Sequence, residues 1–409
     1  VRARWLSVAA LAAVLPTVAG CGGVGVSGAS EATGNQLAIY SSLPLQGPSA
    51  AISQETVNGE RLALYQAGGR IGPFKVGYVS LDDANPKSGR LDPGATATDA
   101  KTAAQDTSTI AYLGEYNSSA TAVSLPLINA AGILQVSPGS PYIGLTSSLD
   151  AGQDEPERFY PSGKRNFGRL QLGDQAQAAA QVKLMRTLAV RKLYVIDDQD
   201  PFEVPLAQIV AGDAERAGIA VVAHDSILTT PGSVFAGAVE KVVRSGAEAV
   251  FFAGRGGAGT IALWRALHAA DPQLLQLGSS ALADEAFTSA IGPVEASTYL
   301  TTPLLAPGEY PPAAARVLAD YRRRFGGQPG PHALYGFEAM SVVLEAIRNA
   351  GARGNDRQTV IDRFFQTADR DSVLGRYSMQ ANGETTLPRY GVDRIVNGRA
   401  VFYRSIDIR

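Results

Sequence analysis

The sequence predicts an α/β fold of two lobes, each built around a parallel central sheet. Three observations carry this expectation. From residue 36 onward, strand-like and helix-like segments alternate, the rhythm of a parallel sheet covered by helices on both faces. That rhythm breaks over residues 139–167, rich in Pro, Gly and charge, and then restarts, which points to two units. The 409 residues include 45% hydrophobic and only 18% charged side chains, enough apolar material for two sizeable cores and too much for a disordered chain.

Taken in order, residues 37–45 (LAIYSSLPL) form the first predicted strand, closed by Pro and Gly. A helix is expected over 50–67, where Ile52, Val57, Leu62 and Leu64 can share one face. Strands follow at 74–83, 109–116 and 133–138, with helices at 94–107 and 117–132 between them. The interval 139–167 reads as a surface insertion near a crossing between lobes. The second unit reads as helix 174–189, strand 192–198, helix 202–217, a strand within 217–227, helix 233–245, strand 247–254, helix 258–270 and strand 274–280. Beyond it come a strand at 297–304 and helices at 311–326, 332–350 and 357–367. Two segments around Asn382-Gly383 and Asn397-Gly398, both hairpin turn signals, finish the chain. The expected division is 36–170 with 303–386 as one lobe, and 171–302 with 387–409 as the other.

The first twenty residues read as an address. Arg2 and Arg4 precede an apolar run over residues 5–15, ended by Pro16. Eleven residues are too few for a membrane-spanning helix, which needs ~20, and the pattern is that of a secretory signal peptide. Val18-Ala19-Gly20-Cys21 resembles a bacterial lipobox, which implies that Cys21 becomes the lipidated first residue after cleavage; the alternative is a plain signal peptide with an incidental cysteine. Residues 21–35 are small and polar, suited to a flexible tether. Removing residues 1–20 takes away two arginines and no acid, moving the net charge from −2 to −4.

Composition also sets chemistry aside. A mildly acidic chain does not suit nucleic acid. His224, His268 and His332 are far apart and Cys21 is the single cysteine, so no local metal motif and no disulfide framework are present. There is no GxSxG, HExxH or P-loop. Gly254-Arg255-Gly256-Gly257-Ala258-Gly259 fits GxGxxG between a strand and a helix, but the next strand ends in Ser279-Ser280 where a dinucleotide site needs an acid. The pairs Asp82-Asp83 and Asp197-Asp198 sit at strand ends, where carboxylates serve as caps and turn formers.

The order of segments resembles type I periplasmic binding proteins, and within them the branched-chain amino acid (Leu/Ile/Val-type) receptors of ABC transporters. The residues that carry this are LPLQGPSAAISQETVNGERLAL (43–64), SLDDANP (80–86), GEYNSSATAVSLPLINAAGILQVSPGSPYIGLT (114–146), VIDDQDPF (195–202) and ALYGFEAMSVVLEAI (333–347). The resemblance implies two Rossmann-like lobes joined by a multi-strand hinge. It implies an extracytoplasmic, lipid-anchored monomer that binds a small polar ligand, an amino acid or a related compound. It further implies delivery to ABC permease subunits, with no catalysis, cofactor or metal. A sensor passing its ligand state to a membrane receptor is the rival reading.

In such receptors the ligand lies between strand ends and helix N-termini. Asn117-Ser118-Ser119 lies at such a junction, and the resemblance gives Ser118 to a ligand carboxylate; it is equally placed as a helix cap. Gly139 and Ser140 fall in the next ligand loop, where Pro141 replaces a family threonine. In the second lobe Phe202 matches a family tyrosine, Arg255 falls where a tyrosine is usual, and Ser280 falls where an acid holds the ligand ammonium. These departures suggest a ligand other than a leucine-like zwitterion, carrying an acidic or strongly hydrogen-bonding group that Arg255 would meet, unless Arg255 lies on a surface loop. Asp174, at a helix start, is a further candidate for the ammonium or simply a cap.

Overall fold

The computed structural model describes residues 31–409, so the signal, the lipobox Cys21 and most of the tether lie outside the described residues. Two sheets organise the chain. The first has the order β2-β3-β1-β4-β5-β6, built from β1 (Gln36–Leu43), β2 (Arg70–Ile71), β3 (Phe74–Asp82), β4 (Thr109–Leu113), β5 (Leu134–Ser137) and β6 (Phe167–Arg169). All its pairings are parallel except β2 with β3. β4, TIAYL, is buried at every residue, which is why it reads as an unbroken apolar run rather than as an alternation.

Helices α1 (Ala50–Gln66), α2 (Pro93–Gln105) and α3 (Ser118–Ala130) connect these strands. Asp92 starts α2 by accepting the Gly94 and Ala95 amides at 2.8 and 3.3 Å, with Pro93 in the first helical position. The later helices α9 (Pro312–Phe325), α10 (His332–Ala350) and α11 (Arg357–Phe365) return to cover the same sheet. α1 and α10 cross in backbone contact: a side chain at Gly59 would collide with the Ala333 carbonyl, and one at Gly336 with the Thr56 carbonyl.

The second sheet has the order β15-β14-β11-β10-β9-β7-β8. It contains β7 (Lys192–Asp197), β8 (Ala220–Ser226), β9 (Ala249–Ala253), β10 (Leu275–Gly278), β11 (Thr298–Thr302), β14 (Arg389–Val396) and β15 (Arg399–Asp407). Its helices are α4 (Asp174–Thr187), α5 (Val204–Arg216), α6 (Ala236–Ser245), α7 (Ala258–Ala270) and the short α8 (Glu285–Thr288). β7 to β11 pair in parallel, and β14 and β15 add antiparallel strands around the turn at Asn397-Gly398. The other turn pair, Asn382-Gly383, closes only a bridge from Met379 to Thr385, beside the small ladder of β12 (Arg370–Asp371) and β13 (Arg376–Tyr377).

The chain passes between the sheets after β6, after β11 and after β13. Among the described residues no helix is long and apolar enough to cross a membrane.

The interval 139–167 departs from its sequence reading. It is not a surface insertion: Tyr142, Ile143, Leu145, Phe159 and Tyr160 are buried in one apolar cluster with Leu125 of α3 and with Ala178, Val182 and Met185 of α4. It also contributes the start of β6. Its charge is concentrated over residues 150–158, while the apolar residues on either side fill the space between α3 and α4. This interval is therefore part of the junction that joins the two halves.

The cleft between the two sheets as a candidate ligand site

On the first-sheet side the site starts at the ends of β4 and β5. Asn117 is extended and its side chain caps nothing, so α3 opens with the Ser118 and Ser119 amides lacking an acceptor among the described residues. A helix start of this kind favours an anion. The Ser118 hydroxyl accepts the Tyr142 amide at 3.1 Å, which ties the helix start to the following loop. In that loop the Gly139 amide donates to Ser137 Oγ at 3.0 Å, and Ser137 Oγ donates to the Glu115 carbonyl at 2.6 Å. Ser140 is fully buried at φ +57°, with its hydroxyl 2.9 Å from the Glu115 carbonyl and 2.7 Å from Thr121 Oγ1. Its side chain holds the loop together rather than facing the cleft.

Arg169, at the end of β6, was missed from the sequence. It is fully buried and donates to the Ser140 and Tyr142 carbonyls at 2.6 and 2.7 Å and to Thr146 Oγ1 at 3.0 Å. Its charge is matched by Glu384, with Nε 3.1 Å from Glu384 Oε2 and a second contact to Oε1. One guanidinium thus pins the loop 140–146 to the third crossing segment. Asp174 begins α4 next to it, accepting the Ile143 amide at 3.0 Å. Burial outweighs the attraction of Arg169 and pushes the Asp174 carboxyl up to about 7.

The second-sheet side meets the first through an edge-to-face contact of Phe202 with Tyr142, ring centres 5.0 Å apart at 76°. Ser280 Oγ and the Tyr390 hydroxyl both donate to Gln177 Oε1, at 3.1 and 2.8 Å. Gln177 is 1% exposed, and its Nε2 is buried with no acceptor. Glu203 stands directly before α5 and accepts the Ser279 hydroxyl at 3.2 Å. Burial, reinforced by the carboxylates of Asp174, Asp198 and Asp200, pushes its carboxyl up to about 8.

Arg255 lies at the rim. Its side chain is 55% exposed, with Nε 2.9 Å from Asp200 Oδ2, and its amide donates to Asp198 at 2.8 Å. It borders an open pocket of about 330 Å³ at the ends of β7, β8 and β9, lined also by Thr229, Thr230 and Thr260. Arg255 thus lies on a loop at the rim with its charge already paired to Asp200. Ser280 itself bonds Gln177, while the neighbouring Ser279 donates to Glu203. The signal for Glu203 was present as an acid next to Phe202 at a strand-to-helix junction.

A second set of carboxyls lies beneath the loop 114–118. Glu115 is buried and accepts the Tyr112 hydroxyl at 2.6 Å, while Ser42 donates to Asp99 at 2.8 Å. Among the described residues neither oxygen of the buried Asp83 has a hydrogen-bond partner. Burial raises Asp83 to about 7 and Asp99 to about 6, and holds Glu115 well above the usual carboxylate range. Among the described residues no three His, Cys, Asp or Glu side chains are placed to hold a metal ion. The other strand-end pair is structural as well: Asp197 is held by His224, Ser226 and the Gln199 amide, each at 2.9 Å.

Two helix-covered, mostly parallel sheets joined by three crossing segments are the architecture of a known group, and a family model for periplasmic binding proteins matches residues 41–398. The chain belongs to the periplasmic binding protein family. It is 26% identical over 323 residues to an amino acid binding protein of Pseudomonas aeruginosa, covering 76% of this chain and 77% of that one. It is 26% identical over 314 residues to a Leu/Ile/Val-binding protein homolog of Brucella melitensis, covering 76% and 78%. The leucine binding protein of Thermotoga maritima superposes with a TM-score of 0.72 at 19% identity, over 91% of this chain and 99% of that one. The family consists of solute-binding proteins rather than enzymes.

Proposed function

We propose that this chain is the extracytoplasmic, lipid-anchored solute receptor of an ABC importer, closing its two lobes on an amino acid or a related small polar compound. The observation that carries this is the opposite character of the two cleft walls. One wall offers unmatched amides at the start of α3, suited to a carboxylate; the other offers carboxyls, with Glu203 foremost, suited to an ammonium. Asn117, Ser118 and Gly139 form the carboxylate side, and Phe202, Glu203 and Ser280 the other. The names of the Pseudomonas and Brucella relatives support the same ligand class. Closure would rotate the halves about the three crossing segments, exclude water and strengthen each polar contact.

Native mass spectrometry of the purified mature chain, followed by denaturation, should release a bound amino acid or close analogue. Recovery of a ligand without a carboxylate, or turnover of a candidate ligand, would sink this reading. Replacing Cys21 with serine should abolish membrane partitioning; an unchanged membrane fraction would remove the lipid anchor.

A further inference from the structure

One corner of the second wall is built from three separate elements. Gln177 lies in the first turn of α4, Ser280 follows the end of β10, and Tyr390 lies in β14. Parallel sheets take their ligands at the carboxyl ends of the strands, which is where Ser280 stands. Ser280 Oγ and the Tyr390 hydroxyl converge on Gln177 Oε1, at 3.1 and 2.8 Å. These two donors set the orientation of the amide and turn Nε2 away from both hydroxyls. Gln177 is 1% exposed, and its Nε2 is buried with no acceptor among the described residues.

Other buried glutamines behave differently. Gln135 donates from Nε2 to the Gly114 carbonyl at 3.0 Å, Gln181 to the Gly278 carbonyl at 2.7 Å, and Gln276 to the Trp264 carbonyl at 3.2 Å. What each of these leaves unmatched is its oxygen. A buried N–H without an acceptor is the rarer and costlier case, because it has lost its water and gained nothing in return. Gln177, at the strand-end corner of the cleft, is the glutamine that keeps such a donor.

We propose that Gln177 is a specificity residue of the cleft: its Nε2 donates to an uncharged acceptor oxygen on the ligand's side chain, an amide carbonyl or a hydroxyl, so that the receptor takes polar amino acids in preference to aliphatic ones. This rests on the reading of the cleft as an amino acid site and adds what the ligand's side chain must carry. Elimination leads to the side chain. The ligand carboxylate goes to the α3 amides on the opposite wall, and an ammonium is itself a donor, so neither group serves Nε2. The acceptor is uncharged because carboxyls crowd this wall. Asp174 lies one turn before Gln177 on α4, Glu203 holds Ser279 beside Ser280, and Asp198 and Asp200 stand around Glu203. A second ligand carboxylate would be repelled there. An aliphatic side chain would leave Nε2 dry and unpaired.

The test is calorimetry with all twenty amino acids on wild type, read through pairs matched in shape: asparagine against leucine, and threonine against valine. The same pairs are then measured on Gln177→Met, which keeps the length of the side chain and removes the donor. Wild type should bind the polar member of at least one pair about tenfold or more tighter than the apolar member. In Gln177→Met that ratio should fall to within about threefold, with the apolar member bound at least as tightly as by wild type, which also shows that the variant is folded. The wild-type ratios need no variant: tighter or equal binding of both apolar members would overturn the proposal while leaving the amino acid site standing. So would aspartate binding more tightly than asparagine, or a wild-type ratio retained by Gln177→Met. Binding of none of the twenty by wild type would overturn both readings.

Discussion

Asp83, Asp99 and Glu115 lie beneath the first-sheet wall of the cleft; Asp174, Asp198, Asp200 and Glu203 lie along the second. Both groups have carboxyls raised by burial, yet their hydrogen bonding differs. In the first group neither oxygen of Asp83 has a hydrogen-bond partner among the described residues, while Tyr112 donates to Glu115 and Ser42 to Asp99. In the second, Glu203 accepts the hydroxyl of Ser279, while Gln177, bonded to the next residue Ser280, has no acceptor for its Nε2 among the described residues. Burial shifts the enclosed acids toward their neutral form, which needs no partner charge. An acid on an open wall can answer its charge with a ligand. The number of acids does not separate a structural cluster from a recognition site; the partners left over do.

The comparison can be broken most sharply at Arg169, which holds the first wall to the third crossing segment. Arg169→Met should cost about 3–5 kcal/mol, because Glu384 loses its cation and two loop carbonyls lose their donors. Chemical denaturation would check this, and a cost below about 1 kcal/mol would show that the loop holds without it. The next effect should come from the enclosed pair. The folded-state value of Asp83 lies above its ordinary unfolded value of about 3.9, so the unfolded chain ionises first and this group removes stability as pH rises from about 4 to about 7. Asp83→Asn should therefore be more stable than wild type at pH 8, by about 1–3 kcal/mol, and lose that advantage at pH 4. Denaturation midpoints across this range would show it, and a gain that does not vary with pH would mean that burial does not raise the Asp83 carboxyl. The smallest effect belongs to the rim. Arg255→Ala should change stability by less than about 0.5 kcal/mol and ligand affinity by less than threefold, since its exposed guanidinium is already answered by Asp200. A tenfold loss of affinity would place Arg255 on the ligand and redraw the second wall.

Much of the architecture was legible before the structure. β4, β7 and β9 are nearly continuous apolar runs because both faces of a parallel sheet are covered, and α3, α5 and α6 end just before Gly132, Gly218 and Gly246. The junction at Ser118 was legible too, since a helix start has a local signature. The interval 139–167 was misread because its charge lies in one stretch, and only the packed structure shows its aromatic residues entering the core. Arg169 drew no attention because an isolated arginine carries no local pattern, and Glu203 because its one signal, an acid beside Phe202 at a strand-to-helix junction, is shared with ordinary helix caps.

What the sequence determined by itself was the order of elements, the two-unit plan and the residue types at each strand end, all set by periodicity and turn chemistry over a few neighbouring residues. Tertiary structure alone decided the partners. Glu203 meets Ser279 from 76 residues away, Arg169 meets Glu384 from 215, and Gln177 meets Tyr390 from 213. A side chain's charge state and availability depend on burial and on what lies within a few ångströms, and the fold brings those groups together from distant parts of the chain.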